Sequence, residues 1–187
     1  MTDDARASTN VSAAPGADAI RLDRWTVTSG SNVNSRAAVV IRAGGHDWKA
    51  SAEGNGAVDA LFKAVDMALA PIVGGRPLLL GYDVHALAEG PDAEGRVTVR
   101  IAPPVASEGG RADGRYAGEV TSTNTVAASI EAYVQALTAM LGDESWAGAT
   151  EDAGAQRVRR STGDPAEAET EYDRTADHFD TTEWFNR

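Results

Sequence analysis

The stretch AEGNGAVDALFKAVDMAL, residues 52–69, decides the fold prediction, because a glycine-rich turn runs directly into a helical pattern. Apolar residues recur at positions i, i+3, i+4, i+7 and i+11, and they are Val58, Leu61, Phe62, Val65 and Leu69. This spacing places them on one face of an α-helix. Pro71 and the glycine pair after it predict that the helix ends there.

Three segments before this helix have the composition of β-strands. Residues 20–30 alternate apolar and polar side chains, residues 36–43 are rich in β-branched residues, and residues 48–53 form a short third segment. Turn-forming residues separate the three segments. The first half of the chain is therefore predicted to have the order βββα.

The same order recurs downstream. Strand patterns cover residues 76–88, 96–102 and 115–121, and a second helical pattern covers 124–141. Thr123 or Asn124 can cap this helix, and Gly142 stands where a C-cap glycine belongs.

These patterns predict an α+β domain. It consists of two βββα repeats, residues 20–70 and 76–142, each with a mostly antiparallel sheet and one helix, related by a pseudo-twofold axis. A small sheet with one helix cannot bury both of its faces. We therefore expect the halves to pack together and the domain to form a homodimer.

Composition divides the 187 residues into a domain and two tails. Residues 1–18 are small and polar, and residues 143–187 are acidic, so we expect a disordered N-terminal tail and a mostly disordered C-terminal tail around a domain at 19–142. The net charge of −11 argues against nucleic acid as a partner. The absence of cysteine fits a cytoplasmic protein, and no apolar run is long enough to span a membrane.

The glycine-rich turn does not match a nucleotide-binding motif. A phosphate loop needs Gly-Lys-Ser/Thr at the helix start, and Lys63 lies well inside the helix. A dinucleotide fingerprint needs a third glycine where Asp59 stands. Exposed N–H groups at a helix start still favour a small anion such as a carboxylate. The alternative is a tight turn that needs glycine for a positive φ.

The second helix start also offers N–H groups and hydroxyls, with simple helix capping as the alternative explanation. Histidine occurs only at His46, His85 and His178, and no group of three potential metal ligands has the spacing of a metal site. No pattern typical of a catalytic triad or a catalytic carboxylate pair is present. We therefore predict no catalytic residues, no metal and no cofactor.

Three segments together, GNGAVDALFKAVD, LLLGYDVHALAEGPDAEGRVTVRI and YAGEVTSTNTVAASIEAYVQAL, resemble the C-terminal regulatory domain of 2-isopropylmalate synthase and (R)-citramalate synthase. The resemblance covers residues 22–142. It implies a dimeric βββα-repeat domain that binds an end-product amino acid, leucine or isoleucine, and thereby inhibits a distant catalytic barrel. The resemblance does not extend to that barrel, so we expect a non-catalytic module that acts in trans on a separate synthase.

The resemblance also implies a ligand site at particular positions. The glycine turn and helix start would supply Gly54, Gly56, Val58 and Asp59 or Ala60. The fourth strand and the hairpin after it would supply Leu79, Tyr82, Ala86 and Ala93, and the second helix entrance would supply Thr121 and Thr123. Helix N-termini would hold the carboxylate, backbone carbonyls or Asp83 the ammonium, and the apolar residues the branched side chain.

Three positions depart from the usual family pattern. Ala57 replaces a proline, and Asn124 and Thr125 replace an aspartate and an isoleucine. These departures support an alternative, a scaffold or dimerisation protein that has the same fold but no ligand. An enzyme in its own right is the third hypothesis.

Overall fold

A computed structural model of the chain describes residues 20–90, 92–104 and 114–161. These residues form two three-stranded antiparallel sheets, and each sheet is followed by an α-helix. The predicted α+β class with two βββα repeats is confirmed. The predicted N-terminal tail and residues 162–187 of the predicted C-terminal tail lie outside the described residues.

The first half pairs its strands in chain order, and these are β1 (Arg21–Thr28), β2 (Ser35–Ala43) and β3 (His46–Gly54). β2 is the central strand, and Val39 and Ile41 on it are fully buried. Gly44 and Gly45 join β2 to β3 with φ values of 56° and 75°. A two-residue hairpin turn with both φ values positive suits glycine, which has no Cβ to clash with the backbone.

Helix α1 spans Ala57–Val73, so it ends at the predicted glycine pair but continues through Pro71. Proline removes one N–H group from the helical ladder. Ile72 and Val73 are nevertheless buried in the core, and the burial of two aliphatic side chains outweighs that loss. The helix ends at Gly74, whose φ of 73° is left-handed and whose N–H donates to the carbonyl of Ala70.

The second half repeats the order with β4 (Leu78–Ala86), β5 (Gly95–Ala102), β6 (Tyr116–Ser122) and α2 (Thr125–Leu141). The predicted alternation of β5 is confirmed, because Val97, Val99 and Ile101 are fully buried. The predicted cap of α2 is also confirmed: the side chain of Asn124 accepts hydrogen bonds at the helix start. Gly142 follows the last residue of α2, as predicted, in a right-handed conformation.

The edge strands of the two sheets match in detail. β1 has an irregularity between Leu22 and Arg24, and β4 has one between Leu79 and Gly81. One residue beyond each irregularity stands an aromatic residue, which lies opposite a central valine: Trp25 in β1 and Tyr82 in β4. The repeat therefore extends to the local backbone of the edge strands.

A single buried cluster joins the two halves. It takes residues from both central strands and both helices, including Val39, Ile41, Leu61, Val65, Val99, Ile101, Ile130 and Leu137. Between the helices, the rings of Phe62 and Tyr133 stack with centroids 4.3 Å apart. The expectation that the halves pack together is confirmed, because neither sheet has its own separate core on the helix side.

Helical structure continues beyond α2, in the acidic region where the sequence pattern predicts none. A 3-10 helix covers Glu144–Trp146, and helix α3 covers Ala149–Ser161. α3 has acidic residues in its first turn and arginines in its last turn. Charges in these positions interact favourably with the helix dipole and stabilise the helix. Within the described ranges, no helix is long and apolar enough to cross a membrane.

α3 returns to the first half and packs beside the β2–β3 turn. The guanidinium of Arg157 lies 5.2 Å from the centre of the Trp48 ring and donates to the carbonyl of Asp47. A Cβ at Gly154 would lie 2.8 Å from the ring of His46, so the helix sits directly against β3. The chain after α2 is thus attached to the opposite half of the domain.

Candidate functional site

The two glycines of the turn before α1 have different surroundings. Gly54 is buried, and a Cβ there would lie 2.4 Å from the backbone nitrogen of Ala60. Gly54 is therefore required by the close approach of β3 to α1. Its φ is not positive, so the tight-turn explanation does not apply to it.

Gly56 is the N-cap of α1, with an extended backbone at φ −163°. A Cβ at this position would meet no described atom within 4 Å. An extended backbone suits any residue, and the surroundings of Gly56 leave room for a side chain. Neither the backbone conformation nor a steric contact therefore explains why this residue is glycine. Among the described residues, no side-chain cap completes the start of α1. The first-turn N–H groups of a helix have no partner within the helix, so this entrance can accept an anion.

Asp59, in the first turn of α1, is committed to contacts within the protein. Its Oδ2 accepts from the backbone N–H of Asn55 at 2.9 Å and from Nζ of Lys63 at 2.7 Å. The Lys63 hydrogen bond lowers the pKa of Asp59, and the Asn55 N–H acts in the same direction against partial desolvation. Lys63 also offsets the negative charge of Asp59, which reduces its repulsion of an anion at the helix start.

The entrance of α2 is filled by the protein itself. Oδ1 of Asn124 accepts from the N–H groups of Val126 and Ala127 at 3.1 and 3.0 Å. The Asn124 N–H in turn donates to Oγ of Ser122. The two helix starts, which are equivalent in the repeat, are therefore not equivalent in their capacity to bind a ligand.

Strand β4 presents an apolar face beside the helices. Directly opposite residues of an antiparallel pair point to the same side. Four residues of β4 lie opposite core-facing positions of β5, and we call them the β4 face: Leu79, Tyr82, Val84 and Ala86. Leu79, Tyr82 and Val84 are 47%, 38% and 44% exposed, because α2 packs mainly across β5 and β6.

Tyr82 connects the β4 face to both helices. Its ring meets Phe62 of α1 edge-to-face at 6.0 Å, and its hydroxyl lies 2.8 Å from Oγ of Ser129 in α2. Phe62 is one turn after Val58, and long side chains in helices lean toward the helix N-terminus. This contact therefore places Tyr82 beside the second turn of α1.

A buried polar cluster lies behind this aromatic contact. The carboxylate of Asp66 accepts from the hydroxyl of Tyr133, and its Oδ2 lies 3.0 Å from Nε of Arg76. Burial raises the pKa of Asp66, while Tyr133 and Arg76 counteract that rise. Burial and the neighbouring Asp66 raise the pKa of Tyr133, so its hydroxyl remains a donor. The cluster ties α1, α2 and the linker between the halves together.

Most of the residues predicted for the site fall into two groups, which the contact between Phe62 and Tyr82 links. Gly54, Gly56, Val58, Asp59 and Ala60 form the start of α1, although Ala60 is fully buried in the core. Leu79, Tyr82 and Ala86 share the β4 face. Phe62 and Ser129 both contact Tyr82 and were not predicted as site residues, because the sequence presents both as ordinary positions of a helix.

Other predicted positions lie elsewhere. Thr121 is opposite Arg96 on the outer, polar face of the second sheet, and Thr123 is exposed in the turn before α2. Asp83 is also on that outer face, on the opposite side of the sheet from the β4 face. Its Oδ2 accepts a hydrogen bond from Nη2 of Arg100 at 2.9 Å. Ala93 is half-buried in the β4–β5 loop, and its N–H donates to the carbonyl of Gly90.

The β4–β5 loop encloses a shallow concavity lined by Leu87, Ala88, Glu89, Gly90, Asp92, Ala93 and Glu94. Three of these residues are acidic. Over residues 20–90, 92–104 and 114–161, however, no group of three His, Cys, Asp or Glu side chains is close enough to hold a metal ion. The start of α1 and the β4 face are therefore the candidate site, because they offer both a polar and an apolar component.

Comparison with known proteins identifies the family of the chain. The family model of the LeuA allosteric (dimerisation) domain matches residues 3–141. The chain is 36% identical over 123 residues to the 2-isopropylmalate synthase of Aromatoleum aromaticum, which is 66% of this chain and 22% of that protein. It is 35% identical over 136 residues to the 2-isopropylmalate synthase of Caulobacter sp., which is 72% of this chain and 23% of that protein.

The 2-isopropylmalate synthase of Thiobacillus denitrificans is 41% identical over 103 residues, or 54% of this chain and 18% of that protein. The chain thus spans less than a quarter of the length of these relatives, and the family match covers the regulatory domain only. Together with the two βββα halves, these matches show that the chain belongs to the family of the LeuA allosteric (dimerisation) domain, a regulatory module of the 2-isopropylmalate synthase type.

Proposed function

We propose that the start of α1 and the β4 face bind a branched-chain amino acid, with leucine as the first candidate. One observation carries the proposal. The entrance of α1 has no side-chain cap at Gly56, whereas the entrance of α2 is filled by Asn124. In the second turn of α1, Phe62 contacts Tyr82 of the exposed apolar strand β4. An amino acid with an aliphatic side chain offers the two matching parts, a carboxylate and an apolar group.

The physical basis for each part is ordinary. First-turn N–H groups and the helix dipole stabilise a carboxylate at the α1 entrance. Leu79, Tyr82 and Ala86 provide an apolar surface for the branched side chain. Burial of apolar surface contributes about 25 cal/mol per Å², so the side chain supplies a useful share of the binding free energy. Thr121 and Thr123 are outside the proposed site, because they lie on the other side of the second sheet or in its exposed turn.

We infer that a second copy of the chain covers the exposed part of β4. Leu78, Leu79 and Leu80 follow one another on this edge strand, and each is more than 40% exposed. Exposed apolar surface of this kind marks an interaction site. The family is described as a dimerisation domain, which supports a homodimer over a different partner.

The proposed partner in regulation is the catalytic part of a 2-isopropylmalate synthase, on which this domain acts in trans. The relatives of this chain carry that name, and the matching segment is less than a quarter of each. If this chain acts in trans, leucine should inhibit the separate synthase of leucine biosynthesis only when this chain is present. Steady-state assays of the synthase with and without the chain and leucine test this part.

Binding itself is tested by isothermal titration calorimetry with leucine, isoleucine and valine, together with the Gly56→Asn variant. The variant copies the cap of α2 into α1, and an Asn side chain has room at this position. Its oxygen would occupy the N–H groups that the carboxylate needs. We expect saturable binding to the wild-type chain and none to Gly56→Asn, with an unchanged circular dichroism spectrum.

The alternative is a scaffold with the same fold that binds no ligand. The filled entrance of α2 favours it, because one of the two repeats has a helix start closed by its own side chain. The two functions give different titrations. Heat on addition of any of the three amino acids excludes the scaffold, and its absence for all three excludes the ligand-binding function.

A further inference from the structure

The hydroxyl of Tyr82 has a defined hydrogen-bond direction. Ser129 has a single hydroxyl proton, and its Oγ donates to the carbonyl oxygen of Thr125 at 2.5 Å. A carbonyl oxygen can only accept, so the Ser129 proton is used there. The 2.8 Å contact between the Tyr82 hydroxyl and Ser129 Oγ must then be donated by Tyr82.

This chain of two hydrogen bonds leaves the Tyr82 oxygen with acceptor capacity only. Each bond in such a chain polarises the next, which strengthens the acceptor at its outer end. The aromatic contact with Phe62 fixes the ring, so the oxygen is held in place. A ligand group that reaches this oxygen must donate a hydrogen bond to it.

We propose that the Tyr82 oxygen recognises the ammonium group of the ligand, and that Ser129 positions it to do so. The proposal rests on the proposed function, because it needs an amino acid in the site. The carboxylate goes to the N–H groups of the α1 entrance, which can only donate, and the ammonium goes to Tyr82, which can only accept. Asp83 cannot take this role, because it lies on the outer face and is paired with Arg100.

The assignment distinguishes α-amino acids from the corresponding acids that lack nitrogen. A carboxylic acid with the same branched side chain can use the α1 entrance and the β4 face, but it has nothing to donate to Tyr82. Hydrogen bonds to charged groups account for about tenfold to a hundredfold in affinity. The site would therefore select against 2-oxo acids and simple branched acids.

The test is a calorimetric comparison of L-leucine with 4-methylpentanoate, which is leucine without its amino group. The full chain is titrated as wild type, Tyr82→Phe and Ser129→Ala, with Tyr116→Phe as the matched control. Tyr116 is in β6, and its hydroxyl bonds with Asp143 rather than with the site. Tyr82→Phe keeps the ring against Phe62, and circular dichroism confirms that each variant is folded.

We expect wild type and Tyr116→Phe to bind leucine at least about tenfold more tightly than 4-methylpentanoate. Tyr82→Phe should bind both equally, by losing affinity for leucine alone. Ser129→Ala should narrow the difference by weakening leucine binding, because the Tyr82 hydroxyl then lacks the acceptor that directs its proton away from the ammonium group. A Tyr82→Phe variant that keeps its preference for leucine would overturn the assignment but leave the proposed function intact. A wild type that binds neither compound would overturn both.

Discussion

Gly54 and Gly56 look alike in the sequence but perform different tasks. We expect Gly54→Ala to destabilise the fold by roughly 2–3 kcal/mol, because the added Cβ would overlap the backbone of Ala60. Gly56→Ala should change the free energy of unfolding by less than about 0.5 kcal/mol, because its Cβ enters open space. Urea denaturation of both variants measures the difference. Equal effects would show that β3 and α1 are not in close contact.

Asp59 gives a prediction with a pH dependence. Its folded-state pKa is lowered, first by the Lys63 hydrogen bond, so its stabilising contribution is present above the unfolded pKa and is lost as the pH falls. The pair is about one-third exposed, which limits this contribution to about 0.5 kcal/mol.

Asp59→Asn should therefore lower the Tm slightly at pH 7. The difference from wild type should begin to shrink as the pH falls below about 4, where Asp59 of the unfolded chain is protonated, and should vanish once the pH is below the lowered folded-state pKa of Asp59. Thermal scans of both proteins across this range, at one ionic strength, measure it. A difference that grew on acidification would contradict the assignment of the hydrogen bonds.

The sequence predicted the fold well because its periodic patterns coincide with burial. Four of the five apolar residues of the α1 pattern, all but Val58, lie in the core or pack against it, and strict alternation located β5. The site was harder to predict, because it depends on which face of a strand each residue occupies. Thr121 and Asp83 are close in the sequence to site residues, but their register places them on the outer face.

Helix α3 could not be predicted from hydropathy, because its stability comes from contacts with a distant turn. We expect Arg157→Ala to reduce stability by about 1 kcal/mol or more, through loss of the contact with Trp48 and of the hydrogen bond to Asp47. Arg160→Ala, an exposed arginine in the last turn, is the control. Acrylamide quenching of tryptophan fluorescence should increase in the Arg157 variant only. Equal quenching in both would show that Arg157 does not hold α3 in place.

The whole domain has one edge strand that is more exposed than its counterpart. Leu22, Trp25 and Val27 of β1 are half-buried, while the matching residues of β4 are exposed. Other parts of the same chain thus partly cover edge strand β1 of the first half, whereas edge strand β4 of the second half stays exposed. This asymmetry is why we place the dimer interface at β4.

The dimer prediction is tested with Leu80→Glu, which introduces a charge on the exposed edge strand, at a residue outside the β4 face that we propose binds the ligand. Sedimentation velocity should show a dimer for wild type and a monomer, or a dissociation constant raised by at least about tenfold, for the variant. Val33→Glu, in the turn after β1, is the control at an apolar residue that is more exposed than Leu80. A wild-type chain that sediments as a monomer at micromolar concentrations would exclude this interface.

Asn124 affects the number of ligand molecules that each chain is expected to bind. Two βββα repeats suggest two ligand sites per chain. In the second repeat, however, the side-chain amide of Asn124 already accepts hydrogen bonds from the N–H groups that a ligand would need. A saturating titration should therefore reach its end point at one equivalent of metabolite per polypeptide, so that an internally duplicated protein responds as a single-site receptor.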